Sequence, residues 1–140
     1  MTEYLINAIV IATIAHRAQF DKAGKPYILH PLRVMLRLDN ETDMIVGVLH
    51  DTIEDTDVTP VYLQLQGFPP EIIEALDHLT HRTGEDYDAF IERVKSNAIA
   101  RRVKLADLAD NADVSRLVEP LSEADLARTA KYEKAIAQLS

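Results

Sequence analysis

Apolar residues recur at helical spacing along almost the whole chain, and no convincing stretch alternates apolar and polar positions as a half-buried strand would. The pattern predicts a first helix over about Glu3 to Phe20, with Gly24 and Pro26 closing the loop behind it. A short helix follows over about Pro31 to Leu38, its proline in a first turn where the missing N–H is harmless. Asn40 is placed to cap a third over about Glu41 to Glu54, with Asp43 suiting the positive helix end.

Thr59-Pro60 starts a fourth helix that Gly67 stops, and Pro69-Pro70 starts a fifth that runs to about Thr80. Asp86 is placed to cap a sixth over about Tyr87 to Ser96, and a seventh covers about Ile99 to Asn111. The last has the clearest entry signal: Ser122 and Asp125 at capping-box spacing, Leu121 and Leu126 at staple spacing. These elements predict an all-α fold, one compact helical domain of about eight helices over residues 1–140. The run Ala8-Ile9-Val10-Ile11-Ala12-Thr13-Ile14-Ala15 has no basic region before it and is far too short to span a bilayer, so it reads as a buried helix.

Composition narrows the classes of function. Of 140 residues, none is cysteine, which excludes disulfides and thiolate metal sites. Fifteen Lys+Arg against 23 Asp+Glu leave a net charge of −8, which argues against nucleic acid or an anionic membrane as partner. A cytoplasmic protein acting on a small molecule is the expectation, with the oligomeric state left open.

The sharpest local chemistry is Val48-Leu49-His50-Asp51-Thr52-Ile53-Glu54-Asp55. In a continuous helix, His50 and Glu54, and Asp51 and Asp55, each lie one turn apart, so the four share a broad polar face. Acids at a helix C-terminus oppose the macrodipole, and a divalent cation among them is the economical answer. Asp107 and Asn111 share another helix face, with Asp107 set among apolar neighbours and so in need of a partner. Together His30, His50, Asp51 and Asp107 would form a shell of two imidazoles and two carboxylates, suited to manganese or iron more than to calcium. His78 and His81 read instead as complements to a negative helix end.

Four segments carry a resemblance: Ala15-His16-Arg17-Ala18-Gln19, Lys22 to Pro31, Leu49 to Thr56, and Val103-Lys104-Leu105-Ala106-Asp107. In order and spacing they resemble the hydrolase domain of RelA/SpoT proteins, a member of the HD superfamily of metal-dependent phosphohydrolases. The resemblance implies a stand-alone alarmone hydrolase that removes the 3′-pyrophosphate of a guanosine or adenosine polyphosphate. It implies that His30, His50, Asp51 and Asp107 hold Mn2+ or another divalent transition metal, and that Glu54 and Asp55 activate or position the attacking water. It further implies that Asn111 contacts the nucleotide and that Lys22 lies near the substrate. Lys104, with Lys25 and Arg33, is a candidate to offset phosphate charge.

Three positions depart from the family pattern. Asp21 stands where an arginine usually packs on the base, Leu108 replaces the arginine after the metal aspartate, and Asp110 replaces a histidine before Asn111. A carboxylate at position 21 cannot stack on a base, so guanine and adenine are expected to compete nearly equally. Two other readings remain open: a phosphatase for another nucleotide such as NADPH, and a nucleotide sensor that no longer turns over. His16 and Gln19 are read as a hydrogen-bonded pair beneath the site rather than as ligands.

Overall fold

A computed structural model describes residues 2–113, 115 and 121–140, and within them the chain is helical with one isolated bridge, Phe20 to Pro26. The helices are α1 (Thr2–Ala15), α2 (Leu29–Leu36), α3 (Glu41–Leu49), the single turn α4 (Thr52–Asp55) and α5 (Pro60–Leu65). They continue with α6 (Pro70–Leu79), α7 (Tyr87–Lys95), α8 (Ala98–Ala112) and α9 (Glu123–Leu139).

The third helix is the centre of the molecule. Ile45, Val46, Val48 and Leu49 have no exposed surface, and α1, α2, α6 and α8 all pack against this one element. Gly47 explains how close α2 comes: a Cβ there would stand 2.7 Å from Leu38 Cδ1 and 3.5 Å from the Met35 backbone. At the other end of α3, the buried carboxylate of Asp43 takes a two-pronged grip from Arg102 of α8, at 2.6 and 3.0 Å. Such paired, charge-assisted bonds fix orientation as well as distance.

Several local signals act as the sequence predicts. The Asn40 side chain accepts from the Asp43 N–H, and Ser122 and Asp125 form both halves of a capping box. Others differ. Asp86 precedes α7 but makes no side-chain cap bond, and Asn97, which the pattern did not single out, caps α8 through the Ala100 N–H at 2.9 Å. The first helix ends at Ala15 instead of continuing to Phe20, because residues 16–20 turn toward the site. Its apolar run is only half buried: Ala8 and Ala12 face the core, while Ile6, Val10 and Ile14 are half exposed. A helix apolar all round can press only one stripe against α3, and here that stripe is Ala8 and Ala12 flanked by the partly buried Leu5, Ile9 and Ile11.

The largest correction is at the chemistry-bearing segment. The expected helix from Glu41 to Glu54 breaks at His50 and Asp51, and α4 restarts after them. Three of the four polar residues, His50, Asp51 and Glu54, still line one cleft, and Asp55 does not.

Candidate metal centre

The break points His50 inward. Its Nδ1 donates to the Gly47 carbonyl at 2.5 Å, and since a carbonyl only accepts, Nε2 is the nitrogen turned to the centre. His30 enters from the first turn of α2 and Asp107 from the middle of α8; all three are buried. One ligand atom from each lies within 4.8 Å of the others. His30 Nε2 stands 2.9 Å from Asp107 Oδ1, and His50 Nε2 stands 3.3 Å from the same oxygen. Asp51, at the break, places Oδ2 at 3.2 Å from His50 Nε2 and 3.7 Å from His30 Nε2.

These spacings fit a cation. Two ligands about 2.1 Å from one ion are about 3.0 Å apart at a right angle and about 3.4 Å apart at a tetrahedral angle. The donor set, imidazole nitrogen and carboxylate oxygen, is that of a divalent transition metal. The structure thus brings the four sequence-predicted ligand residues together from α2, the α3–α4 break and α8.

Each ligand is held from behind. Tyr27 donates its hydroxyl to Asp51 Oδ2 at 2.5 Å, and Lys104 donates to Asp107 Oδ2 at 2.8 Å. Asn111 Nδ2 donates to Asp107 Oδ1 at 3.1 Å, and Asp110 Oδ2 lies 2.7 Å from His30 Nδ1. Beneath Tyr27, the His16 ring packs at 5.0 Å, bonds Gln19 at 2.7 Å, and Gln19 in turn donates to the Asp55 carbonyl. His16 is buried, so the pair sits beneath the site as the sequence reading expected.

The electrostatics follow from this packing. Burial alone would strip the proton from His30 and His50, but the surrounding carboxylates outweigh it, raising His30 and raising His50 strongly. Burial alone would raise the two carboxylates, yet His50 pulls Asp51 down to about 2, and Lys104 with His50 holds Asp107 well below its ordinary range. Burial, reinforced by Asp51, pushes the Tyr27 phenol up, so it remains a hydrogen-bond donor. Burial and the Asp51 charge also raise the Asp55 carboxyl.

Two clefts open beside the cluster. One of about 200 Å³ is lined by His50, Asp51, Glu54, His81, Tyr87 and Lys104. There the Glu54 carboxylate accepts from the backbone N–H of His81, so His81 belongs to the site's rim, and its ring bonds the Glu85 carbonyl and not the end of α6. Asp55 is not among the residues lining this cleft, although Glu54 is. The second cleft, of about 350 Å³, adjoins His30 and Tyr27 and includes Asp21, Lys22, Arg33, Asn111, Arg128 and Tyr132 in its walls. Lys104 thus lines the cleft of Glu54 and not that of Lys22 and Asn111, although it and Asn111 bond the two oxygens of the same Asp107 carboxylate. A third cleft, about 650 Å³ and lined from α1 and α5, contains none of the expected site residues.

Asp21 has a structural task as well. Its Oδ1 accepts from the N–H groups of Ala23 and Lys25, both at 2.9 Å, and closes a tight loop. Gly24 takes a positive φ of 80° in that loop, which suits a residue without a Cβ. Sequence reasoning missed Tyr27, Arg128 and Tyr132; for Tyr27 the signal was its place three residues before His30.

The described residues thus form an all-helical domain in which a two-histidine, two-aspartate cluster adjoins clefts carrying both cations and acids. No protein-family profile matches the chain. It is 34% identical over 89% of its length to a GTP pyrophosphokinase of Myxococcus xanthus, and 35% identical over 87% to a guanosine-3′,5′-bis(diphosphate) 3′-pyrophosphohydrolase of Haemophilus influenzae. Over most of its own length the chain is thus similar to proteins of the RelA/SpoT family. It spans 18% and 20% of the length of those two relatives. A solved structure of a metazoan SpoT orthologue described as hydrolysing ppGpp shares the fold, with a TM-score of 0.76 at 20% identity over 97% of this chain and 84% of that one. No described helix is long and apolar enough to cross a membrane.

Proposed function

We propose that the chain is an HD-type hydrolase domain that removes the 3′-pyrophosphate of a guanosine or adenosine polyphosphate, with Mn2+ or a similar ion held by His30, His50, Asp51 and Asp107. The observation that carries this reading is the convergence of their ligand atoms at 2.9–3.7 Å beside clefts that contain Lys22 and Arg33. The bound ion supplies Lewis acidity to a phosphoryl oxygen and lowers the pKa of water.

The chain's own residues do the rest. Glu54, fixed by the His81 N–H, takes the proton from the attacking water in the smaller cleft. Asp55, its carboxyl raised by burial and by the Asp51 charge, shares with Glu54 the positioning of that water. Lys22, Arg33 and Asn111 orient the nucleotide in the larger cleft. Water attacks the phosphorus bonded to the 3′ oxygen, the bond to that oxygen breaks, and pyrophosphate leaves. The Haemophilus relative, named for guanosine-3′,5′-bis(diphosphate) hydrolysis, and the metazoan SpoT orthologue, described as hydrolysing ppGpp, support the guanosine member of this substrate class.

The test is hydrolysis of guanosine and adenosine 3′,5′-bis(diphosphate) and of NADPH with added Mn2+. Release of pyrophosphate and the nucleoside 5′-diphosphate is expected. Inorganic phosphate from NADPH alone would favour the other phosphatase reading, and tight binding without products the sensor.

A further inference from the structure

Asp110 joins two side chains of a different helix. Its Oδ2 lies 2.7 Å from His30 Nδ1, and its Oδ1 accepts from Arg33 Nε at 2.8 Å, with Arg37 Nη2 at 4.0 Å from the same oxygen. The carboxylate has no exposed surface. His30 and Arg33 are three apart on α2 and so present to one side, which is why one carboxylate on α8 can grip both. His30 belongs to the metal cluster, and His30 and Arg33 both line the 350 Å³ cleft.

We infer that Asp110 is a positioning residue that couples the metal ligand His30 to the cleft cation Arg33. This rests on the reading of the cluster as a metal centre. A carboxylate accepts only, so Nδ1 carries the proton and Nε2 keeps its lone pair for the ion when one is bound. The negative charge behind the ring also makes Nε2 a better donor, as second-layer carboxylates do for histidine ligands. The other oxygen fixes the guanidinium through Nε, so its terminal nitrogens are the donors a phosphate in the cleft would meet. Metal and phosphate sites are thereby set at a constant distance by one side chain.

The test titrates Mn2+ into metal-free protein against a competing chelator. Asp110→Asn is expected to bind about 10- to 100-fold more weakly, the range seen when such outer partners are lost. Arg33→Gln is expected to keep metal affinity and raise the nucleotide KM with kcat little changed. Cobalt(II)-loaded wild-type protein adds a spectroscopic readout. Two slowly exchanging, paramagnetically shifted ring N–H protons are expected, that of His50 on Gly47 and that of His30 on Asp110, and the second exchanges faster in Asp110→Asn. A folded Asp110→Asn protein with wild-type Mn2+ affinity overturns the inference. So does a wild-type cobalt spectrum with only one slowly exchanging ring proton, which decides the matter even if the variant does not fold. Wild-type protein that takes up neither ion overturns the metal reading and this inference with it.

Discussion

Tyr27 donates its hydroxyl to Asp51 Oδ2 at 2.5 Å, although the two residues lie on opposite sides of α2 and α3 in the chain. The bond holds the carboxylate with its remaining electron pairs toward His50 and His30. A hydrogen bond to a charged group contributes about 1.5–3 kcal/mol. Tyr27→Phe should therefore keep the ring packing on His16 and weaken Mn2+ binding by about tenfold or more, each factor of ten being about 1.4 kcal/mol. Isothermal titration checks this, and unchanged affinity would show that Asp51 holds its place without the phenol.

Asp51→Ala should lose the ion altogether, since it removes both a ligand and a charge facing two imidazoles at 3.2 and 3.7 Å. Elemental analysis of the purified variant is the measurement. Full metal content would remove Asp51 from the shell.

Glu54→Gln should retain metal but lose turnover by about 100-fold or more, the range of a general acid–base residue. The amide can still accept from the His81 N–H, so the rim should keep its shape. Turnover at the wild-type rate would move the proton to Asp55.

The metal-free protein should have a pH-dependent stability with two flanks. His30 and His50 hold their protons more tightly folded than unfolded, so their contribution is full below the ordinary value of 6.5 and is lost as pH rises through their raised values. Asp51 and Asp107 are shifted down, so theirs is full above the ordinary carboxylate value and is lost as pH falls toward about 2 and below. A chelated sample should accordingly lose thermal stability from about pH 6.5 upward, while a Mn2+-loaded sample should not, because the ion takes the place of the protons. Thermal melts of both samples across that range compare the two. Parallel profiles would count against the imidazolium pair.

Asp21→Arg should raise the ratio of guanine to adenine turnover while leaving metal content unchanged, with the wild type discriminating by no more than about tenfold. The variant also loses two backbone bonds to Oδ1, so faster amide exchange at Ala23 and Lys25 is expected alongside. Equal change for both substrates would leave Asp21 with its loop-closing task only.

Local signals were legible in the sequence where their causes are local. Asn40 and the Ser122–Asp125 box act within three residues, and the apolar spacing identified the helices of an all-α fold. The break at His50 and Asp51 has no proline or glycine at its position to announce it. It is set by His50 reaching back to the Gly47 carbonyl and Thr52 Oγ1 donating to the Leu49 carbonyl at 2.8 Å. Asp110 stood out as a departure, but its partner His30 is 80 positions away, and no spacing rule joins them. Lys104 read as a phosphate cation because its partner Asp107, one turn on, had already been assigned to the ion.

Gly47 lets α2 approach where a Cβ would collide with Leu38, and its carbonyl orients His50. An alanine there meets only the movable tip of the Leu38 side chain, but a longer side chain presses on the α2 backbone at Met35, next to the carbonyl that aims His50, so both imidazoles stand to move from one lesion. A position deep in the scaffold therefore behaves in mutagenesis as though it were part of the reaction centre. Screens for loss of activity will recover it among the ligands, and screens for abundance will recover it among the core residues.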